Sequence, residues 1–234
     1  MRIDKLITGA GIASRKEAAR AAKSGAVTVD GVVVRDLSLH IDPAVNLVAY
    51  CGEAVQYRAN TYIMLNKPDG YVSSTDEKDG KIVLELLDDR LRKIGLFPCG
   101  RLDKDTLGLL ILTDDGPLAH RLLSPRHHAE KTYFFRCAFP LSEESRIRLE
   151  NGIDIGEDKP TLPARITLSG PTEGRITLTE GKYHQIKRML EAVGNKIVYL
   201  ERISFAGIHL DPALDRGEWR YLTHEEENLL KSSQ

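Results

Sequence analysis

No stretch limits the fold more tightly than LGLLILTDDG, residues 107–116. Its apolar run is short, does not alternate with polar residues, and stops at Asp-Asp-Gly, which reads as a buried strand ending in a turn. Pro117 then suits the first position of a helix, and Pro125 lies just beyond that helix. Other strand signals stand at YIMLN (62–66), KTYFFRCAF (131–139), the meander pair within 164–181, and KIVYL and ISFAGIHL (196–210). Helical signals stand between them. IVLELL (82–87) suits a short helix. Ser142 caps a segment running to about Glu150 that Gly152 ends. YHQIKRMLEAVG (183–194) is amphipathic, with Ile186, Met189, Leu190 and Val193 on one face. Thr223 with Glu226 forms a capping box that opens a last helix. Strands and helices mixed without regular βαβ alternation predict an α+β fold.

The first 35 residues have a different character. Ile3, Leu6 and Ile7 show helical spacing, and Ser14 with Glu17 makes a capping box for a second helix from about Arg15 to Ser24, with Gly25 as its stop. VTVDGVVV (27–34) alternates around Asp30-Gly31, the signal of a two-residue hairpin. A polar, irregular linker near Gly52–Asn60 divides the chain into 1–58 and 59–234.

Composition narrows the function classes. Net charge is −1, so contact with a polyanion must come from local patches. Residues 1–58 hold 8 Lys/Arg against 6 Asp/Glu, a slight positive excess. Cys51, Cys99 and Cys137 form no CxxC pair, which argues against a zinc site and a disulfide framework and fits a reducing cytoplasm. MRIDKLITG lacks the apolar core of a signal peptide, and no apolar run approaches the ~20 residues that span a membrane.

Read alone, the polar residues say little about chemistry. Asp103 stands in a loop beside Arg101, just before the buried strand, where a scaffold fixes a side chain well; most loop aspartates are nevertheless turn formers. Asp105, Asp114 and Asp115 read as loop and turn carboxylates. Tyr133 beside Phe134 and Phe135 reads as a core aromatic, and Lys187 and Arg188 as a solvated helix edge.

Two resemblances sharpen these readings. Arg2-Ile3-Asp4-Lys5 and SRKEAARAAKSGAVTVDG (14–31) are similar to the S4 RNA-binding domain over roughly residues 1–48. This implies a helix-helix-hairpin module that reads RNA shape, with Lys5, Arg15, Lys16 and Lys23 on phosphates. GRLDKDTLGLLILTDDG (100–116) resembles the signature GRLDxxTxGLLxLTxDG of RsuA-type pseudouridine synthases. NKPDG (66–70), Lys131-Thr132-Tyr133 and GKYHQIKRML (181–190) resemble that family's other motifs, in its order. RGEWRYLTHEEE (216–227) resembles its ending, with Arg216 in place of the usual proline.

The resemblance implies a mixed, largely antiparallel-sheet synthase domain with a central cleft. It implies the catalytic residues Asp103, Tyr133 and Lys187. The aspartate works on the ribose as nucleophile at C1′ or as base, and the tyrosine stacks on the flipped uracil, a contact worth roughly 1–3 kcal/mol. The lysine pairs with the aspartate, since a cation within ~4–6 Å favours a charged carboxylate. NKPDG is given a scaffold role near Tyr133. Arg101, His127, His128 and Arg188 are further candidates for RNA contact. The reaction detaches uracil from C1′ and rejoins it through C5 without redox change or net hydrolysis, so no metal and no organic cofactor is expected.

PRHHAEK (125–131) and the short chain resemble the 16S-directed members of that family more than its 23S-directed ones, which implies 16S ribosomal RNA, free or in a partly assembled small subunit, as substrate and the uridine-516 activity. A monomer in the cytoplasm is expected. The alternatives are a 23S-directed synthase of the RluB or RluF kind, a non-catalytic RNA-binding assembly factor, and, least favoured, a metal nuclease using Asp103, Asp105, Asp114 and Asp115.

Overall fold

The computed structural model describes residues 1–55, 58–124 and 129–232, so His127 and His128 lie outside the described residues. The chain divides into two compact units, Met1–Thr61 with Leu84–Phe97, and Tyr62–Val83 with Pro98–Gln234.

In the first unit, α1 (Ile3–Gly9) and α2 (Arg15–Lys23) precede a small sheet of β1 (Val27–Val29), β2 (Val32–Val33), β3 (Val48–Tyr50) and β4 (Glu53–Ala54), in the order β2-β1-β3-β4. The capping box at Ser14 and Glu17 is present, each side chain accepting the other's backbone N–H. Asp30 and Gly31 both take positive φ, 51° and 81°, the geometry a two-residue hairpin requires. Ile3, Leu6 and Ile7 pack on Ala18, Ala22, Val27 and Val48 in one apolar cluster. The excursion 84–97 adds a single turn, α3 (Asp89–Arg92), and β6 (Phe97–Pro98) leads back to the second unit. IVLELL forms only a 3-10 turn, Val83–Leu86.

The second unit is built on one mixed sheet. Its strands are β5 (Tyr62–Lys67), β7 (Leu107–Thr113), β8 (Lys131–Cys137), β9 (Arg165–Leu168), β10 (Glu173–Leu178), β11 (Ile197–Phe205), β12 (Ile208–His209) and β13 (Trp219–Tyr221). The main path runs β13-β5-β7-β11-β8-β10-β9, with β12 against β11. Along this path and at β12, every pair is antiparallel except β7 with β11. The helices are α4 (Gly116–Leu123), α5 (Glu143–Glu150), α6 (Gln185–Glu191) and α7 (His224–Ser232). The fold is thus α+β with a mixed, mostly antiparallel sheet.

Leu109 to Leu112 have no exposed surface, and burying each such side chain contributes roughly 1.5–3 kcal/mol. Asp115 caps α4 by accepting from Leu118 N–H, and the Tyr62 hydroxyl donates to the same carboxylate at 2.6 Å, tying β5 to that helix. The parallel approach of β11 to β7 depends on a missing side chain: a Cβ on Gly108 would stand 2.3 Å from the Arg202 carbonyl oxygen, and its φ is 96°.

One expectation is corrected. KIVYL and ISFAGIHL are not separate strands: residues 197–205 form a single nine-residue strand with register shifts at Ile197/Tyr199 and Arg202/Ser204. Glu201 and Arg202 interrupt the apolar pattern of this strand, yet Arg202 is 1% exposed. Bulges preserve the strand while breaking its alternation.

Candidate active site

The loop 100–106 is held from several sides. Lys67, with no exposed surface, donates its ammonium to the carbonyls of Pro68, Lys104 and Thr106 at 3.1, 2.9 and 2.9 Å. Burial drives its pKa down to about 8 against the pull of nearby aspartates. Gly70 N–H donates to the Lys104 carbonyl, and the Ser73 hydroxyl both donates to and accepts from the Leu102 backbone at 3.1 Å. Thr106 N–H closes a turn onto the Asp103 carbonyl at 3.0 Å. NKPDG is therefore scaffold for the aspartate loop. Arg216 donates to Asn66 Oδ1 in the same motif and pairs with Glu201 at 2.9 Å.

Opposite this loop, residues 180–187 form a turn into α6. Gln185 is buried; it donates to Glu180 at 2.6 Å and accepts from Lys182 N–H at 2.9 Å. His184 holds a left-handed conformation at the helix start, φ 49°, a strained position for a non-glycine residue. Its Nε2 comes within 3.7 Å of Asp103 Oδ1. Lys187, in the first turn of α6, reaches Asp103 Oδ2 at 3.1 Å and Asp105 Oδ1 at 2.6 Å. Its side chain is only 20% exposed, so it is not the solvated edge that the bare sequence pattern suggests. Burial works against its charge, but the hydrogen bonds and charges of Asp105 and Asp103 hold the ammonium above its usual range. Burial likewise pushes Asp105 up, and Lys187 overcomes this to hold the carboxyl below its usual range.

Asp103, His184, Gln185 and Lys187 line a cavity of about 690 Å³, within the range of small-ligand sites. Asp103, Tyr133, Lys187 and Arg101 all border it, and so do Lys131 and Arg202. Tyr133 is 9% exposed and lies on β8 between Ile176 of β10 and Arg202 of β11. Arg101 is exposed at the rim. An acid, a basic side chain within pairing distance and an aromatic ring on one cavity wall can bind a planar base and act on the sugar attached to it.

The structure does not bring Arg188 to this cavity. Its guanidinium pairs with Glu157 at 2.6 Å and donates to the carbonyls of Ile155 and Tyr183, fastening the 153–157 loop to α6. Lys5, Arg15, Lys16 and Lys23 are exposed on the first unit and form no ion pair among the described residues. Asp105, His184, Lys67 and Arg202 carry site geometry that the sequence reading missed. Only the recurrence of basic and acidic residues inside otherwise apolar strands could have flagged Lys67 and Arg202. Among the described residues, no group of three His, Cys, Asp or Glu side chains could hold a metal ion, and no helix is long and apolar enough to cross a membrane.

The comparisons with known proteins agree with this architecture. The family of RNA pseudouridylate synthases matches residues 61–192, and the S4 domain matches residues 1–45. The chain is 46% identical to an uncharacterized RNA pseudouridine synthase, YtzG, of Bacillus subtilis, over 100% of both chains. It is 44% identical to ribosomal small subunit pseudouridine synthase A of Escherichia coli, covering 97% of this chain and 98% of that one. A crystal structure of a pseudouridylate synthase superimposes with a TM-score of 0.70 at 38% identity, covering 98% and 99% of the two chains. With an S4 domain ahead of a sheet that carries this cavity, the chain belongs to the RNA pseudouridine synthases, which are isomerases.

Proposed function

We propose that this enzyme converts a specific uridine of 16S ribosomal RNA, the counterpart of uridine 516, to pseudouridine. In this reading residues 1–58 grip the RNA, with Lys5, Arg15, Lys16 and Lys23 on phosphates, and residues 59–234 perform the chemistry. The target uridine leaves its stack and lies on the Tyr133 ring, an aromatic contact worth roughly 1–3 kcal/mol. Asp103 acts on the ribose, as nucleophile at C1′ or as base, while Lys187 fixes its carboxylate in place. The C1′–N1 bond breaks, the uracil turns within the cavity, and C5 joins C1′. Excluding water from the cavity keeps the detached sugar from being intercepted.

The observation that carries this reading is the 3.1 Å contact between Lys187 Nζ and Asp103 Oδ2 on the wall of the cavity that Tyr133 also lines. The small-subunit substrate is supported by relatives named ribosomal small subunit pseudouridine synthase A that align with nearly the whole chain. A pseudouridine map of ribosomal RNA from cells with and without the gene tests it. One mark in 16S RNA should vanish. Loss of a 23S mark with 16S RNA unchanged would overturn the substrate.

A further inference from the structure

Arg202 is a buried cation that the proposed chemistry leaves unused. It is 1% exposed, lines the cavity, and stands opposite Tyr133 in the β8–β11 register, so both side chains leave the same face of the sheet. Its Nε donates to the Leu109 carbonyl at 2.8 Å, and its guanidinium lies over the Phe205 ring at 5.1 Å. Its Nη2 is buried without a hydrogen-bond partner among the described residues. Lys131 borders the same cavity and lies over the same ring at 5.9 Å, its ammonium donating to the Ala129 carbonyl. Neither cation forms an ion pair among the described residues. Burial, reinforced by the Arg202 charge, lowers the Lys131 pKa to about 8. A buried donor without an acceptor and a buried charge without a counter-ion are both costly. Keeping a buried cation and a half-buried one together on a cavity wall makes sense if negative charge arrives there during function.

The reaction supplies that charge. When C1′–N1 breaks, the electron pair leaves with N1, and the detached ring is an anion whose charge is shared by N1, O2 and O4. Asp103 meanwhile either bonds C1′ or takes a ribose proton, and gives it up in the return step. C5 then returns an electron pair to C1′, and the proton lost from C5 is balanced by one gained at N1. Resting on the proposed function, we infer that the Arg202 guanidinium faces a carbonyl oxygen of the uracil and stabilises the ring while it is detached, with Lys131 adding to the positive field. A backbone phosphate is a poorer occupant. It stays tethered to its neighbours, and the exposed Arg101 at the rim meets it without drawing the chain inward.

Single-turnover pseudouridine formation on a 16S RNA fragment, with RNA affinity measured alongside, tests this. Arg202→Gln should slow isomerisation by about 10²-fold while affinity changes less than about threefold, with Arg202→Lys intermediate. With 5-fluorouridine at the target, the fluorine draws charge from the ring, and the loss in C1′–N1 cleavage should shrink to less than about tenfold. Equal losses on both substrates would make Arg202 merely structural. Weakened RNA affinity with an unchanged rate at saturation would make it a phosphate ligand. Either result overturns the inference. Should neither variant fold, the unaltered enzyme decides. Sulfur is a poorer acceptor than oxygen, so replacing O2 or O4 of the target by sulfur should slow one of the two reactions, and indifference to both replacements would overturn the inference. If the unaltered enzyme isomerises nothing in this RNA, the functional reading itself has failed and the inference falls with it. Full activity in Arg202→Gln removes the inference alone.

Discussion

Lys187 Nζ approaches Asp105 Oδ1 to 2.6 Å, closer than it comes to Asp103. The lysine is therefore shared between two carboxylates, one of them 66% exposed and read from the sequence as an ordinary loop residue.

Removing the shared partner should release Lys187 to Asp103 alone. Asp105→Asn should lower the isomerisation rate by less than about tenfold, since a pair with one largely exposed partner is worth little. The pair also sets a pH window. The depressed Asp105 contributes stability that is present above its unfolded value of 3.8 and lost as pH falls through its lower folded value. The raised Lys187 contributes stability that is full below 10.5 and lost as pH rises through its higher folded value. The stability difference between the parent protein and Asp105→Asn should thus be flat across neutral pH and shrink at both extremes, as acid and alkaline unfolding curves will read.

Much of this arrangement is legible in the sequence. Apolar periodicity, capping pairs and turn residues mark α2, the Asp30-Gly31 hairpin, α4, α5 and α7, because those signals act within a few residues of chain. The trio Asp103, Tyr133 and Lys187 is legible only through resemblance to a family, since no local rule links residues so far apart. What stayed hidden depends on the third dimension. Lys67 and Arg202 are cations inside apolar strands, where hydropathy alone argues for exposure. Their partners are backbone carbonyls, and carbonyls leave no trace in the side-chain pattern. Asp105 differs from any turn aspartate only in facing α6.

Lys67 should be a stability residue with a functional signature. Lys67→Met removes one donor shared by three carbonyls, of which Lys104 keeps Gly70 N–H, and leaving a buried acceptor unsatisfied costs about 1–3 kcal/mol. Urea unfolding, followed through the single tryptophan Trp219 on β13, should show that loss. The rate at saturating RNA should fall with it because the Asp103 loop loosens.

Gly108 and Gly207 separate crowding from backbone strain. Both have positive φ, but a Cβ at Gly207 meets nothing within 4 Å, whereas one at Gly108 meets the Arg202 backbone. Gly207→Ala should cost about 1 kcal/mol, and Gly108→Ala roughly 3 kcal/mol or more, by the same fluorescence measurement.

The first unit should govern affinity and leave chemistry alone. Replacing Lys5, Arg15, Lys16 and Lys23 together by Gln should weaken RNA binding and reduce its salt slope by roughly 0.7–0.9 for each phosphate that is no longer neutralised. The single-turnover rate at saturating RNA should hold.

The most direct measurement is the single-turnover rate of Asp103→Asn on 16S RNA, paired with its RNA affinity. The substitution keeps the side chain's shape and removes its charge. Isomerisation should drop by at least about 10³-fold while affinity stays within about threefold. A variant that still makes pseudouridine at the parental rate would contradict the assignment of the chemistry to this carboxylate.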